Sequence, residues 1–160
     1  MATITKKFLP QERSHAGAFG NEWVKTYGFA TNSSGYIVDS DTPAAAVGAT
    51  DVIRLGILPA GLQLIDAKVI ISDGSTASIT YNLGFAYVDG VDSTDVPQDA
   101  DYFVTGSTSA ATAVRQLANN TGVRPVTLPK EAYLIWTNAV AAHASVCVVD
   151  VVVDGVLVGV

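Results

Sequence analysis

The chain has 160 residues, a length typical of one domain, and 49% of them are hydrophobic while only 15% are charged. This composition excludes an intrinsically disordered chain, which would be more polar and more charged. Residues 1–25 carry four basic and two acidic groups, whereas the remaining 135 residues carry five basic and thirteen acidic groups, so a dedicated nucleic-acid binder, with its basic folded face, is not expected.

Residues 1–22 are predicted to form an extended N-terminal arm, followed by one domain over residues 23–160. The arm lacks a sustained hydrophobic period and contains Pro10, Gly17 and Gly20. The net positive charge of this region suits docking onto an acidic surface of another protein or of a second copy. A solubilising scatter of charge is the alternative interpretation.

Alternation of large and small residues predicts strands through the first half of the domain, the first of them beginning at Trp23. Residues 51–58 form the next clear strand, and Pro59-Ala60-Gly61 is a turn signal before a further strand. A third strand, with five large residues at period two, is predicted at the centre of the core. The predicted inward residues are Ile53, Leu55 and Ile57, then Ile65, Ala67, Val69 and Ile71, then Ile79, Tyr81, Leu83, Phe85 and Tyr87.

The second half of the chain is predicted to contain an aspartate-rich loop, one helix and three late strands. The loop covers residues 89–101, and a short helix over 110–118 follows a cap at 107–109, with Val114 and Leu117 facing inward. Late strands are predicted at 124–128, 132–137 and 143–153, the last with Cys147, Val149, Val151 and Val153 on one face. Asp154-Gly155 either turns the chain into a final strand over 156–160 or leads into a tail.

These elements indicate an all-β fold, an antiparallel β-sandwich or jelly-roll-like domain with one short helix and the extended arm. No alternation of strands and helices supports a parallel nucleotide-binding sheet. The apolar stretch from Ser145 to Val160 is interrupted by Asp150 and Asp154, so no membrane span is expected. A soluble protein made in a reducing cytoplasm is predicted.

Residues with catalytic potential are sparse, so neither an enzyme nor a cofactor is expected. His15 is interpreted as a solvated arm residue and His143 as a strand-edge residue. Cys147 lies among valines, which predicts a buried, inert thiol, and one cysteine excludes an intrachain disulfide. A Ser-His-Asp triad assembled from distant residues stays an alternative, although no Gly-x-Ser-x-Gly turn supports it.

Other polar and aromatic residues suggest two binding hypotheses. The aspartates from Asp89 to Asp101 offer hard oxygen ligands for calcium, but the spacing is not that of an EF-hand, and a solvated hairpin loop is the favoured interpretation. Trp23 and Trp136, if exposed, would suit a sugar-binding face. Packing in a core or an interface is the favoured interpretation for both.

The stretch Asp51-Val52-Ile53-Arg54-Leu55-Gly56-Ile57-Leu58-Pro59-Ala60-Gly61, with residues 66–73 after it, resembles a pattern of tailed-bacteriophage head proteins. The strand from Ile79 to Gly90 and the segment Ala100-Asp101-Tyr102-Phe103 are similar to later elements of the same pattern. The resemblance covers roughly residues 50–118 and leaves the arm outside.

The resemblance implies a capsid decoration (cement) protein, a non-enzymatic β-rich molecule on the outer surface of a tailed-phage head. It implies the major capsid protein and further copies of the chain as partners, a homotrimer, and assembly in the bacterial cytoplasm. A β-sandwich module for glycans or a host surface, or a head-fibre or tail component, is the alternative. The residues expected to contact coat protein or a neighbouring copy are Lys6, Lys7, Phe8, Arg13, Phe19 and Trp23.

Overall fold

A computed structural model describes residues 1–5, 21–41, 45–75, 79–110 and 114–158. These residues form ten strands in two sheets and no helix, so the prediction of an all-β fold is confirmed. The strands are β1 (Thr3–Thr5), β2 (Glu22–Thr31), β3 (Val52–Leu58), β4 (Leu62–Asp73), β5 (Thr80–Tyr87), β6 (Asp99–Thr108), β7 (Val114–Leu117), β8 (Val126–Thr127), β9 (Ala132–Ala139) and β10 (Cys147–Leu157).

The first sheet has the strand order β1-β3-β9-β5-β6. All its neighbouring strands pair antiparallel except β1, which runs parallel to β3 with Ile4 opposite Ile53. The second sheet has the order β2-β10-β4-β7, and the short β8 also pairs with β4. β10 is its central partner, paired along its length with β2 on one side and β4 on the other.

The inner faces of the two sheets meet in one hydrophobic core, which gives a sandwich-like arrangement. Phe29 of the second sheet contacts Trp136 of the first edge to face, with ring centroids 5.2 Å apart. Trp136 is fully buried and stacks on Tyr81 at 3.7 Å. The Tyr27 hydroxyl donates a hydrogen bond across the sandwich to the Ile57 carbonyl oxygen at 2.8 Å.

The alternation predicted for the strand from Ile79 to Tyr87, which corresponds to β5, is confirmed. The inward residues of this strand from Ile79 to Tyr87 are all buried, and so are the four predicted on β10 from Cys147 to Val153. Gly84 lies between these large side chains because a Cβ there would meet the Asp99 carbonyl oxygen of β6 at 2.1 Å. A glycine is therefore required where the β6 backbone approaches β5.

Two bulges change the faces predicted for β3 and β4. Against β9, the register of β3 shifts between Arg54 and Gly56, so Ile57 is half-buried while Leu58 is fully buried. Against β10, Ile65 is the extra residue of β4, and it is 50% exposed. The predicted inward positions of Ile57 and Ile65 were therefore wrong, because one inserted residue reverses the alternation beyond it.

The predicted helix over 110–118 is not formed in its described part. Residues 107 and 108 belong to β6, and residues 114–117 form β7, paired antiparallel with Lys68 to Ile71 of β4. Leu117, expected to face inward, is 64% exposed. The hydrogen bonds that β7 makes with the edge of β4 outweigh the helix propensity of the local sequence. Residues 111–113 lie outside the described ranges.

Three element boundaries also differ from the prediction. The aspartate-rich loop ends at residue 98, since β6 begins at Asp99, and the strand predicted over 124–128 contains only the two residues of β8. β10 continues through Asp154-Gly155 to Leu157 instead of turning. A Cβ on Gly155 would lie 2.6 Å from the Gln63 carbonyl oxygen, so this glycine marks a bulge in a continuous strand.

Candidate interaction surfaces

Most residues predicted to contact a partner lie outside the described ranges, namely Lys6, Lys7, Phe8, Arg13 and Phe19. Trp23 is described, and it belongs to the inner side of β2, where it is 6% exposed. Its ring lies 6.4 Å from that of Tyr27. The tryptophan therefore contributes its surface to the core of its own chain.

The start of the predicted arm is attached to the edge of the first sheet. Ile4 of β1 is 2% exposed and is part of the core. The Asp51 carboxylate accepts a hydrogen bond from the Ala2 backbone N–H at 2.7 Å, and the Asp41 carboxylate accepts one from the Thr5 N–H at 2.9 Å. β1 is thus an edge strand with an apolar side chain inserted into the core.

The outer face of the second sheet carries several apolar side chains. Val24 on β2 is 52% exposed, Leu117 on β7 is 64% exposed, and Val152 and Ile70 lie half-buried between them. Cross-strand pairing sets Leu117 opposite Lys68, and Lys68 opposite Val152, so these side chains share one face. We call Val24, Ile70, Leu117 and Val152 the outer apolar face. Sequence alternation on β2, β4 and β10 indicates this face, but the sequence did not predict the contribution of β7.

The aspartate-rich loop is held by an ion pair. The Lys130 ammonium lies 2.7 Å from the Asp89 carboxylate and also donates to the Val91 carbonyl oxygen. Lys130 holds the pKa of Asp89 below its usual range. Within the described ranges no three histidine, cysteine or acidic side chains are grouped as ligands for a metal ion, so the calcium hypothesis gains no support from the geometry.

His143 lies in the loop before β10, so its interpretation as a strand-edge residue was wrong. The strand begins four residues later, at Cys147, because the loop folds back and the His143 N–H donates to the Val47 carbonyl oxygen at 2.8 Å. The imidazole is 1% exposed, packs against the Phe29 ring, and has no hydrogen-bond partner among the described residues. Burial lowers the pKa of His143 to about 4.

Cys147 is fully buried, as predicted. Burial, and secondarily the negative charge of Asp73, raises the pKa of the thiol to about 11. A thiol in this environment is a weak nucleophile at neutral pH.

Trp23 and Trp136 do not form the exposed aromatic pair that a sugar-binding face would need. Trp136 is fully buried and Trp23 nearly so, so the favoured core interpretation is confirmed for both. The described ranges also contain no helix long and apolar enough to cross a membrane.

No protein-family model matches the chain, and no curated protein matches it by sequence. In fold, the chain is similar to a chain of the solved capsid of Ralstonia phage GP4, with a TM-score of 0.65 and 15% identity over 99% of this chain and 100% of that one. A chain of the cyanophage Pam1 capsid asymmetric unit gives a TM-score of 0.54 and 19% identity, covering 92% of this chain and 94% of that one.

A third similar structure is the acid-stable capsid of Helicobacter pylori bacteriophage KHP30, with a TM-score of 0.50 and 15% identity over 84% of this chain and 87% of that one. All three likenesses are below 25% identity, and they show a shared fold.

Proposed function

We propose that this chain is a structural protein of a bacteriophage head, and specifically a decoration (cement) protein of a tailed phage. The observation that carries the proposal is the end-to-end similarity in fold to a chain of a phage capsid, covering 99% of this chain and 100% of that one. Because the similarity extends over nearly all of both chains, the two molecules share their overall fold. The role in this proposal is mechanical, without an enzymatic step.

In this proposal the protein binds the outer surface of the assembled head and strengthens contacts between units of the major capsid protein. Repetition over a symmetric shell multiplies a modest contact into a large total stabilisation. The location is the virion, after assembly in the cytoplasm of the host bacterium. The molecule consists of the arm of residues 1–22 and a jelly-roll-like domain of residues 23–160.

The arm supplies the contacts to coat protein or to a neighbouring copy through Lys6, Lys7, Phe8, Arg13, Phe19 and Trp23. The attachment of β1 to the sheet supports the assignment of these contacts to the arm, because Ile4 fixes the beginning of the arm to the domain. Trp23, which is 6% exposed in the core of its own chain, marks the position at which the arm joins the domain and offers little side-chain area to a partner. The cationic residues then face an acidic partner surface.

The outer apolar face supports the proposal of a homotrimer. Val24 and Leu117 expose apolar area on the two outer strands of one sheet, on either side of the Lys68–Asp154 ion pair, and a partner that covered them would remove that area from water. Burial of this kind is worth roughly 25 cal/mol per Å² of apolar surface. In the proposed trimer, each of three copies contributes this face to the interfaces of one closed ring.

The proposal is tested by mixing purified protein with expanded phage heads that lack it, and measuring co-sedimentation and cryo-electron microscopy density. Saturable binding at symmetric positions on the outer surface is expected. A charge-reversed variant with Lys6→Glu, Lys7→Glu and Arg13→Glu keeps β1 intact and should occupy fewer sites. Absence of binding to the heads at any protein concentration would overturn the decoration role.

A further inference from the structure

A groove of about 350 Å³ opens at one end of the sandwich, between the loop before β6 and the segment before β8. Its floor lies over the rings of Phe85 and Tyr102, which are only 1% and 5% exposed and stand 5.5 Å apart, centroid to centroid, in an edge-to-face arrangement. Its walls add the apolar side chains of Val96, Pro97, Val123 and Val126. The groove is therefore shaped and lined to take one apolar side chain of a ligand.

Hydrogen bonds hold both walls of this groove in place. On one side the Asp92 carboxylate accepts from the Gln98 N–H at 2.7 Å, and the Tyr87 hydroxyl donates to the Val96 carbonyl oxygen. On the other side the Tyr102 hydroxyl donates to the Arg124 carbonyl oxygen at 2.8 Å. A groove fixed in this way loses little conformational entropy when it is filled.

The rim of the groove is acidic. Asp95 and Asp99 lie along it, and Arg124 is the one cationic residue among the lining side chains. The chain has no lysine or arginine between residues 69 and 114, where it has six aspartates. The carboxylates of Asp95 and Asp99 would attract a cation placed at this rim.

The sequence contains one segment with the matching chemistry, Lys6-Lys7-Phe8, in which two cations precede an aromatic side chain. In its own copy this segment begins directly after Thr5 of β1. β1 and β6 are opposite edges of the five-stranded sheet, about 19 Å apart at four strand spacings. Three residues of fully extended chain span at most about 11 Å, so Phe8 does not reach the groove of its own molecule.

We infer that the groove is the receptor for the Lys6-Lys7-Phe8 segment of a second copy, with Phe8 against the apolar walls and the lysines beside Asp95 and Asp99. This inference deepens the proposed arm contact, on which it rests, by naming the surface that receives the arm. It also gives the contact a direction, because the arm of each copy engages the groove of the next. Such an interface is head-to-tail, and it closes into a ring when the rotation between copies allows.

The test titrates a fluorescently labelled peptide of residues 6–13 with the full-length chain carrying Phe8→Ala, so that the arm of a neighbouring copy does not fill the groove, and follows fluorescence anisotropy. This Phe8→Ala background carries every protein variant below and serves as the unmodified chain. The peptide omits residues 3–5, so it has no β1 to exchange onto β3. Saturable binding is expected, and a peptide with Phe8→Ala should bind more weakly. Asp95 is exposed, so Asp95→Lys leaves the fold intact and should weaken binding about tenfold, because an attraction becomes a repulsion.

The matched control is Asp73→Lys, which makes the same change of charge at the far end of β4, away from the groove. It should bind the peptide as the unmodified chain does. A peptide with Lys6→Glu and Lys7→Glu should bind the Asp95→Lys protein better than it binds the unmodified chain. Equal loss of binding in the Asp95→Lys and Asp73→Lys proteins, or no binding at a peptide concentration of about 1 mM, would refute the inference.

The experiment contains no phage heads, so its result is independent of the decoration role. Peptide binding by a chain that ignores phage heads would keep the groove assignment and remove the proposed function. Binding to heads by a chain that ignores the peptide would do the reverse.

Discussion

His143 is a buried base held in its neutral form. Its ring nitrogens have no hydrogen-bond partner among the described residues. Protonation of the imidazole in the folded chain would place an uncompensated charge in an apolar environment. Protonation of His143 at acid pH therefore destabilises the folded state.

We expect the free energy of unfolding to fall as the pH is lowered from about 6.5 to about 4. The pKa of His143 is about 4 in the folded state and near 6.5 when exposed, so the unfolded chain binds more protons across this range. The full effect is about 3 kcal/mol, at 1.36 kcal/mol for each pH unit of difference. Below about pH 4 both states are protonated and this contribution changes no further.

Urea unfolding of the chain and of a His143→Leu variant at several pH values measures this contribution. The variant should show a flatter dependence between pH 4 and 6.5, while a His15→Asn control should keep the original slope. Parallel curves for the unmodified chain and the His143→Leu variant would contradict the assignment.

At the scale of single elements, β1 joins the sheet by three residues and one inserted side chain. Its parallel pairing with β3 is short, and Ile4 alone of its three residues is buried. The attachment of the arm to the domain therefore depends strongly on one isoleucine.

We expect Ile4→Ala to lower the free energy of unfolding by about 2–4 kcal/mol, because it removes buried methyl groups and leaves a cavity. Thr3→Ala, on the exposed side of the same strand, should change it by less than about 0.5 kcal/mol. Guanidinium unfolding monitored by tryptophan fluorescence compares the two. Similar values for both variants would show that Ile4 does not hold β1 in the folded chain.

The elements that were predicted correctly are those with period-two alternation and burial on one face. The strand from Ile79 to Tyr87 is the best example, since each of its five large residues is buried. The bulges at Leu55 and Ile65 were not predictable from alternation, because a bulge depends on the register of the partner strand. β7 was mistaken for a helix because its stability comes from β4, which is distant in sequence.

The candidate surfaces were predictable only in part. The basic character of the arm is visible in the sequence, and so is the density of aspartates between Asp89 and Asp101. The groove was not predictable, because its floor combines two strands and its far wall comes from residues 123–126. Only the folded chain brings the loop and that segment together.

At the scale of the whole molecule, the outer apolar face gives a direct test of the proposed trimer. We expect Leu117→Lys to convert a particle of three times the 16.6 kDa chain mass into a monomer, because a charge replaces apolar area in the interface. Sedimentation equilibrium measures the mass. Val91→Lys is the matched control, since Val91 is similarly exposed on another surface. A monomeric unmodified chain at micromolar concentration would contradict the trimer.

The deep position of Cys147 has a practical consequence for all of these measurements. The chain holds a single sulfhydryl group, enclosed by β10 and its neighbours and poorly ionised at neutral pH. Maleimide reagents react with accessible thiolates, so they will not modify Cys147 in the native molecule. The natural sequence thus serves as its own unreactive background, and one cysteine engineered at the groove rim or on the outer apolar face would carry a dye to that location alone.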